Sequence, residues 1–181
     1  MKLELILGGA RSGKSRYAER RALDSGCAVT VIATAEAGDA EMTERIRRHQ
    51  ADRPAAWKTV EAPLALADAL RREAAADRCL VVDCVTLWLA NLLAGAEELP
   101  PAASAEALPR FRRERDDLLA TLPTLPGQVI LVANEVGLGL VPDTALGRLF
   151  RDEAGRLNQA VAALCTRVVF VAAGLPLAMK G

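Results

Sequence analysis

The segment Gly8-Gly9-Ala10-Arg11-Ser12-Gly13-Lys14-Ser15 places a lysine and a hydroxyl directly behind a turn rich in glycine. This spacing satisfies G-x-x-x-x-G-K-[ST], and each fixed position has a physical task. Gly8, Gly9 and Gly13 let the backbone bend until its N–H groups converge on an anion, with Ala10, Arg11 and Ser12 supplying the amides between them. A helix beginning at Ser15 adds the positive end of its dipole. Lys14 sets a cation against the outer phosphates, and the Ser15 hydroxyl is placed to ligate Mg²⁺. The chemistry this set serves is binding of a nucleoside triphosphate, followed by phosphoryl or nucleotidyl transfer.

Asp83 closes the apolar run Leu80–Val82, where P-loop proteins carry a second carboxylate associated with Mg²⁺. A helix cap for the segment starting at Val85 fits the same residue. Asn134 and Glu135 follow another apolar run and fall where open α/β sheets bind ligands, although a solvated loop fits equally well. The only histidine is His49, within Arg45-Ile46-Arg47-Arg48-His49-Gln50-Ala51-Asp52-Arg53-Pro54. On a helix, Met42, Ile46 and His49 share a face, with Arg45 and Arg53 one turn to either side. Those cations disfavour imidazolium, leave the ring neutral and nucleophilic, and attract a triphosphate. Spacing alone also admits a plain surface histidine on a solvated helix.

Positioning these groups requires strands that deliver them to a common edge. Leu3–Leu7 reads as a buried strand stopped by Gly8-Gly9, Ser15–Asp24 as a helix closed by Gly26, and Ala28–Ala33 as a second strand. Asp39–Asp52 reads as a polar helix, Trp57–Val60 as a short extended piece, and Pro63–Ala75 as a helix with proline in its first turn. Cys79–Val82 is a third buried strand, Val85–Ala94 a buried helix, Glu97–Ser104 a surface loop and Phe111–Leu122 a charged amphipathic helix. Gln128–Ala133 is a fourth strand. Asp143 is expected to cap a long helix ending near Cys165, and Arg167–Ala173 to be the last strand. Apolar strands alternating with helices predict a mostly parallel sheet with helices on both faces: one α/β domain of the P-loop NTPase type spanning residues 1–181.

Composition narrows the function further. Acidic and basic residues balance at 23 each, so no overall field draws in nucleic acid or an anionic membrane. Aromatic residues are only 3% of the chain, too few for a surface that stacks bases. Cys27, Cys79, Cys84 and Cys165 show no metal-ligand spacing. The apolar opening runs straight into the glycine motif without a signal-peptide pattern, and the stretch around Val85–Leu93 is too short for a bilayer. A cytoplasmic enzyme in a reducing compartment is the expectation.

Beyond the P-loop, an ordered series of short patterns runs along the chain. It comprises Ile32-Ala33-Thr34-Ala35, then Arg45-Ile46 with His49 and Arg53-Pro54, then Trp57, Thr59 and Glu61 as W-x-T-x-E. Asp83-Cys84-Val85-Thr86-Leu87-Trp88-Leu89 follows with Asn91-Leu92-Leu93, and later Asn134-Glu135-Val136-Gly137-Leu138-Gly139-Leu140-Val141-Pro142. Arg148, Phe150-Arg151-Asp152 and Gly155-Arg156-Leu157-Asn158-Gln159 complete the series. In this order the patterns resemble the bifunctional adenosylcobinamide kinase/adenosylcobinamide-phosphate guanylyltransferase family of cobalamin biosynthesis.

The resemblance implies phosphorylation of a corrinoid hydroxyl by ATP or GTP, then transfer of GMP from GTP through a guanylylated histidine, matched here by His49. It implies nucleotide contacts at Gly8–Ser15, at Ala33, Thr34 and Ala35, at Gln50, Ala51, Asp52 and Arg53, and at Glu61 and Asp83. Lys14 and His49 would be catalytic, Ser15 and Asp83 would hold Mg²⁺, and the assembly would be a homotrimer. A carboxylate at Glu61 can accept hydrogen bonds from guanine, and the chain lacks the N-K-x-D motif that otherwise reads this base; Glu61 could equally cap the helix after Pro63. Two rival readings stand beside this one. A single-activity metabolite kinase with a structural His49 would form no enzyme-bound nucleotide, and a nucleotide-dependent switch would bind a protein partner differently in its two nucleotide states.

Overall fold

The computed structural model describes residues 2–36, 44, 47, 53–94 and 105–181. Seven strands form one sheet in the order β3-β2-β4-β5-β1-β6-β7. They are β1 Lys2–Gly8, β2 Ala28–Ala33, β3 Lys58–Glu61, β4 Arg78–Asp83, β5 Gln128–Asn134, β6 Arg167–Ala172 and β7 Leu175–Lys180. Every pairing is parallel except β6 with β7. The helices are α1 Lys14–Asp24, α2 Leu66–Glu73, α3 Val85–Leu92, α4 Pro109–Thr121 and α5 Ala145–Leu164.

Alternation along the strands explains how two cores arise from one sheet. Leu3, Leu5 and Leu7 of β1 with Val129 and Leu131 of β5 face a cluster that takes Leu66 and Leu70 of α2, Trp88 of α3, Phe111 and Leu118 of α4, and Leu157 of α5. The intervening residues Ile6, Val31, Val81, Ile130, Val132 and Val169 face Ala18 and Ala22 of α1. Helices thus cover both faces, as parallel pairing with buried strands requires. The small alanines of α1 bring its backbone close to the sheet, directly behind the glycine loop. No helix among the described residues is long and apolar enough to cross a membrane.

The strand ends meet the expectations at β1, β2, β4 and β5 to within a residue or two. Four differences have physical causes. The helix expected from Pro63 starts only at Leu66, because the carbonyls of Pro63 and Leu64 accept hydrogen bonds from Asn91 Nδ2 at 3.0 Å and Trp88 Nε1 at 2.7 Å. Thr144, not Asp143, caps the long helix, its hydroxyl accepting from Gly147 N at 3.0 Å. Asp83 is not the cap of α3; Cys84 Sγ accepts from Leu87 N. The strand expected over Arg167–Ala173 forms as β6 but is not the last: β7 returns antiparallel after a turn with positive φ at Ala173 (50°) and Gly174 (77°). Of the helix expected over Asp39–Asp52, Glu44 and Arg47 are described and helical. The remainder, with the loop expected over Glu97–Ser104, lies outside the described residues.

Buried hydrogen bonds fix the two ends that matter most. Thr34 is fully buried, donates its hydroxyl proton to Cys84 O at 2.7 Å and accepts from Cys84 N at 2.9 Å. Asn91 Nδ2 donates to Thr34 O at 2.8 Å. These bonds lock the end of β2 to the end of β4 and to α3, which holds Asp83 at a defined height on the sheet edge.

Candidate active site

Because the strands run parallel, their last residues collect along one edge of the sheet: Gly8 of β1, Ala33 of β2, Glu61 of β3, Asp83 of β4 and Asn134 of β5. Register sharpens this, with Gly8 opposite Asn134, Ala33 opposite both Asp83 and Glu61, and Asp83 opposite Val132. The carboxyl edge of an open parallel sheet is where ligands bind in α/β proteins.

The glycine loop leaves β1 and folds into a tight anion-shaped turn. Ser12 N donates to Gly9 O at 3.2 Å, and Lys14 Nζ donates to Gly9 O at 3.0 Å, holding the buried lysine over its own loop. Arg11 (φ 57°) and Gly13 (φ 95°) both have left-handed backbones, the conformation that turns successive N–H groups inward. Gly8 leaves no room for a side chain: an added Cβ would lie 2.5 Å from both Ser12 Oγ and the Val171 carbonyl oxygen. The β6–β7 turn, unforeseen in the sequence, buttresses this loop. Gly174 N donates to Ser12 O at 2.8 Å, and a Cβ on Gly13 would approach Gly174 Cα to 3.1 Å. Ser12 Oγ is buried without a hydrogen-bond partner, an unmet polar group pointing to a ligand at the loop.

Beside the loop, a cleft is lined by Ser15 and Glu19 of α1, Arg53, Trp57, Val132 and Asp83. Arg53 Nη2 pairs with Asp83 Oδ2 at 3.2 Å, with side-chain exposures of 8% and 22%, so this pair sits inside the cleft wall rather than on a solvated face. The Ser15 hydroxyl and the Asp83 carboxylate are hard oxygen donors in one cleft. Mg²⁺ is commonly held by one or two carboxylates with substrate phosphates and water, so this donor set fits that ion. Among the described residues no group of three or more His, Cys, Asp or Glu side chains could form an all-protein metal cage. The Cys84 thiol, next to Asp83, is pushed up by burial and serves as a helix cap, not a nucleophile.

The expected site residues therefore fall into three groups. Gly8, Gly9, Ala10, Arg11, Ser12, Gly13, Lys14, Ser15, Arg53 and Asp83 converge on the loop and its cleft. Ala33 ends β2 and Thr34 and Ala35 follow it along the same edge, with the Thr34 hydroxyl committed to Cys84, and Glu61 is exposed at the end of β3. His49, Gln50, Ala51 and Asp52 lie outside the described residues. Sequence reasoning missed Trp57 and Glu19 as cleft-lining groups. Glu19 was findable, since it stands four residues after Ser15 on the same helix face.

The family model described as cobinamide kinase / cobinamide phosphate guanyltransferase matches residues 4–179. The chain belongs to this family. Its relatives include the bifunctional adenosylcobalamin biosynthesis protein CobP of Pseudomonas aeruginosa, 57% identical over 178 residues that span 98% of this chain and 97% of that protein. The similarly named CobU of Escherichia coli K12 is 39% identical over 97% of this chain and 98% of its own length. Among solved structures, the RadB recombinase superimposes with a TM-score of 0.51 at 16% identity, over 93% of this chain and 73% of that one. An ATPase of a type III secretion system gives 0.56 at 13% identity, covering 98% of this chain and 57% of its own. At such low identity these two matches establish the fold alone, a P-loop architecture on a mostly parallel sheet.

If Lys14 serves the phosphate cradle, Lys14→Ala should weaken nucleoside triphosphate binding and slow both transfer reactions of the family by about 10²-fold, the usual cost of losing a cation set against developing phosphate charge. Rates of corrinoid phosphorylation and guanylyl transfer, measured on folded variant, check this. Near-wild-type values for both would remove Lys14 from the phosphate cradle.

Proposed function

We propose that this single P-loop domain phosphorylates adenosylcobinamide with ATP or GTP. It then transfers GMP from GTP to adenosylcobinamide phosphate through a guanylyl group carried on His49. The observation that carries this reading is the convergence of Lys14, Ser15, Arg53 and Asp83 on one cleft beside the loop, in a chain of this family. The strand order supports a nucleotide laid along the edge. Four strand spacings separate β1 from β3, about 19 Å, a span suited to a triphosphate at Gly8–Ser15 and a base near Glu61.

Arg53 also supports a role for His49. Its guanidinium is anchored on Asp83, and His49 stands four residues before it in the sequence. In the first reaction the corrinoid hydroxyl oxygen bonds to the terminal phosphorus as the bridging oxygen leaves with its electron pair on the nucleoside diphosphate. In the second, a ring nitrogen of neutral His49 bonds to the α-phosphorus of GTP and pyrophosphate departs. A phosphate oxygen of adenosylcobinamide phosphate then displaces the imidazole, giving adenosylcobinamide-GDP and restoring the nitrogen lone pair. Ser15 and Asp83 would hold Mg²⁺, which would supply neutralisation of phosphate charge. Lys14 does the same from the loop side.

The assembly we propose is a homotrimer. Its support is exposed apolar surface of a kind that marks interfaces: Leu138, Leu140 and Val141 are 82%, 96% and 63% exposed, and Leu175, Leu177 and Met179 line the free edge of β7. Sedimentation equilibrium should return three chain masses; a single-chain mass at micromolar concentration removes the trimer.

Base selection is tested at Glu61. Glu61→Gln should narrow the preference for GTP over ITP in nucleotidyl transfer by about fivefold, the loss of one hydrogen-bonded partner for the 2-amino group. Competition between the two nucleotides reads this directly, and unchanged discrimination would move base recognition elsewhere.

The histidine is tested by incubating enzyme, Mg²⁺ and GTP without corrinoid and measuring the intact protein mass. One guanylyl group should be added per reacting chain, with label on the α-phosphate retained and label on the γ-phosphate lost. The phosphoramidate should be labile in acid, where ring protonation improves the leaving group, and comparatively stable in base. His49→Asn should abolish both the adduct and guanylyl transfer. An adduct that persists in that variant, or maps to Lys14, refutes the assignment; active enzyme with no adduct favours direct attack on GTP by the phosphorylated substrate.

A further inference from the structure

Asn134 stands at the end of β5, the strand between β1 with its glycine loop and β4 with Asp83. Its register partner is Gly8, the first glycine of the loop. Side chains alternate across a strand, so Asn134 shares the sheet face of Val132, and Val132 lines the cleft. Across from Asn134, the place a Gly8 side chain would take is occupied by Ser12 Oγ and the Val171 carbonyl oxygen. The backbone here is fixed from three sides. Asn134 N donates to Thr86 Oγ1 at 2.6 Å, Asn134 O accepts from Asn158 Nδ2 at 3.4 Å, and Glu135 N donates to Gly8 O at 3.0 Å.

Against this anchored backbone, Asn134 Oδ1 is buried and has no hydrogen-bond partner. Buried acceptors are nearly always satisfied, and one left open on a pinned residue, two positions beyond the cleft-lining Val132 on the same strand, is available to a donor that arrives with a ligand. Ser12 Oγ, packed against Gly8 in the same loop, is open in the same way. An ionised phosphate oxygen cannot satisfy Oδ1, because it has no proton to give. A hydroxyl can.

We propose that Asn134 is a catalytic contact specific to the phosphoryl-transfer step, its side-chain oxygen accepting a hydrogen bond from the alcohol that attacks the terminal phosphoryl group. This rests on the reading of the loop as a triphosphate cradle. Oδ1 holds the hydroxyl proton aside and turns the oxygen lone pair toward phosphorus. The new oxygen–phosphorus bond forms, the bridging oxygen leaves on the nucleoside diphosphate with its electron pair, and the hydroxyl proton passes to water. The amide orients the nucleophile and takes no proton. Attack by an imidazole nitrogen on the α-phosphorus uses no hydroxyl, so nucleotidyl transfer to histidine does not need this contact.

The two reactions of one enzyme therefore provide the test. Asn134→Ala should lower kcat for phosphorylation of adenosylcobinamide by about 10²-fold through lost orientation, while formation of the guanylylated enzyme from GTP stays within about twofold of wild type. Asn134→Asp keeps an acceptor oxygen of the same shape and should recover part of the phosphorylation rate. Equal losses in both reactions, or loss of folding in Asn134→Ala with no selective effect in Asn134→Asp, would make the residue structural and overturn the proposal. Unchanged phosphorylation in Asn134→Ala overturns it as well. A wild-type chain that neither phosphorylates the corrinoid nor takes up a guanylyl group overturns the cradle reading and this assignment together.

Discussion

The parallel pairing of β1 with both of its neighbours governs the rest of the molecule. With β5 on one side and β6 on the other running in the same direction, Gly8 emerges at the same edge as Asp83 and Asn134. A parallel neighbour requires a crossover on one face, and the right-handed preference of such crossovers sends helices over the sheet. The strands inside must then be apolar on both faces. That is why the stretch Leu3–Leu7 of β1 reads Leu-Glu-Leu-Ile-Leu with only one charge, and why that charge needs help. Glu4 is buried and meets Arg21 at 3.1 Å from α1 and Arg167 at 3.3 Å from β6, both at the end of the sheet away from the loop. The ionic requirement at one end of β1 and the phosphate cradle at the other are separated by the length of a single strand.

The loop itself is supported by more than its own glycines. Its carbonyl at Ser12 is fixed by Gly174, and its carbonyl at Gly8 by the backbone of Glu135. Both anchors come from far along the chain, so residues after β5 and in the final hairpin brace the phosphate loop. This explains the otherwise odd exposure of β7. Its residues bury little, and it lies against β6 chiefly through backbone pairing, while the turn leading into it braces Gly13.

Where the sequence could be read and where it could not follows from the same distinction. Buried strands announce themselves through apolar runs ending in glycine or a polar residue, so β2 was bounded correctly and Asp83 and Asn134 were placed at strand ends. The P-loop was legible because its spacing encodes local geometry. β7 was not, because Leu175-Pro176-Leu177-Ala178-Met179-Lys180 has no buried face to create a period of two, and its strand character comes from a partner. The start of α2 was misplaced because Trp88 and Asn91, over twenty residues on, hydrogen-bond to the carbonyls of Pro63 and Leu64. Likewise no local pattern joins Arg53 to Asp83, thirty residues apart, although each stood among the expected nucleotide contacts.

That ion pair shows how a carboxylate suited to a cation can be kept in a cleft wall. Removing two charges from water costs more than surface attraction returns, unless the geometry is close and further hydrogen bonds are made. Arg53 and Asp83 are close at 3.2 Å, and both are largely withdrawn from solvent. Arginine suits this position because its planar, permanently charged fork can hold a carboxylate while leaving other N–H groups directed elsewhere. A phosphate group and its hard cation would present Arg53 and Asp83 with opposite charges of their own, so the pair can be exchanged for two new pairs without leaving either charge bare. The wall of the cleft is thus charge-balanced before and after such an exchange. The two reactions proposed for this site would draw on that property, because the charge facing the wall would shift along the phosphate chain from one to the other.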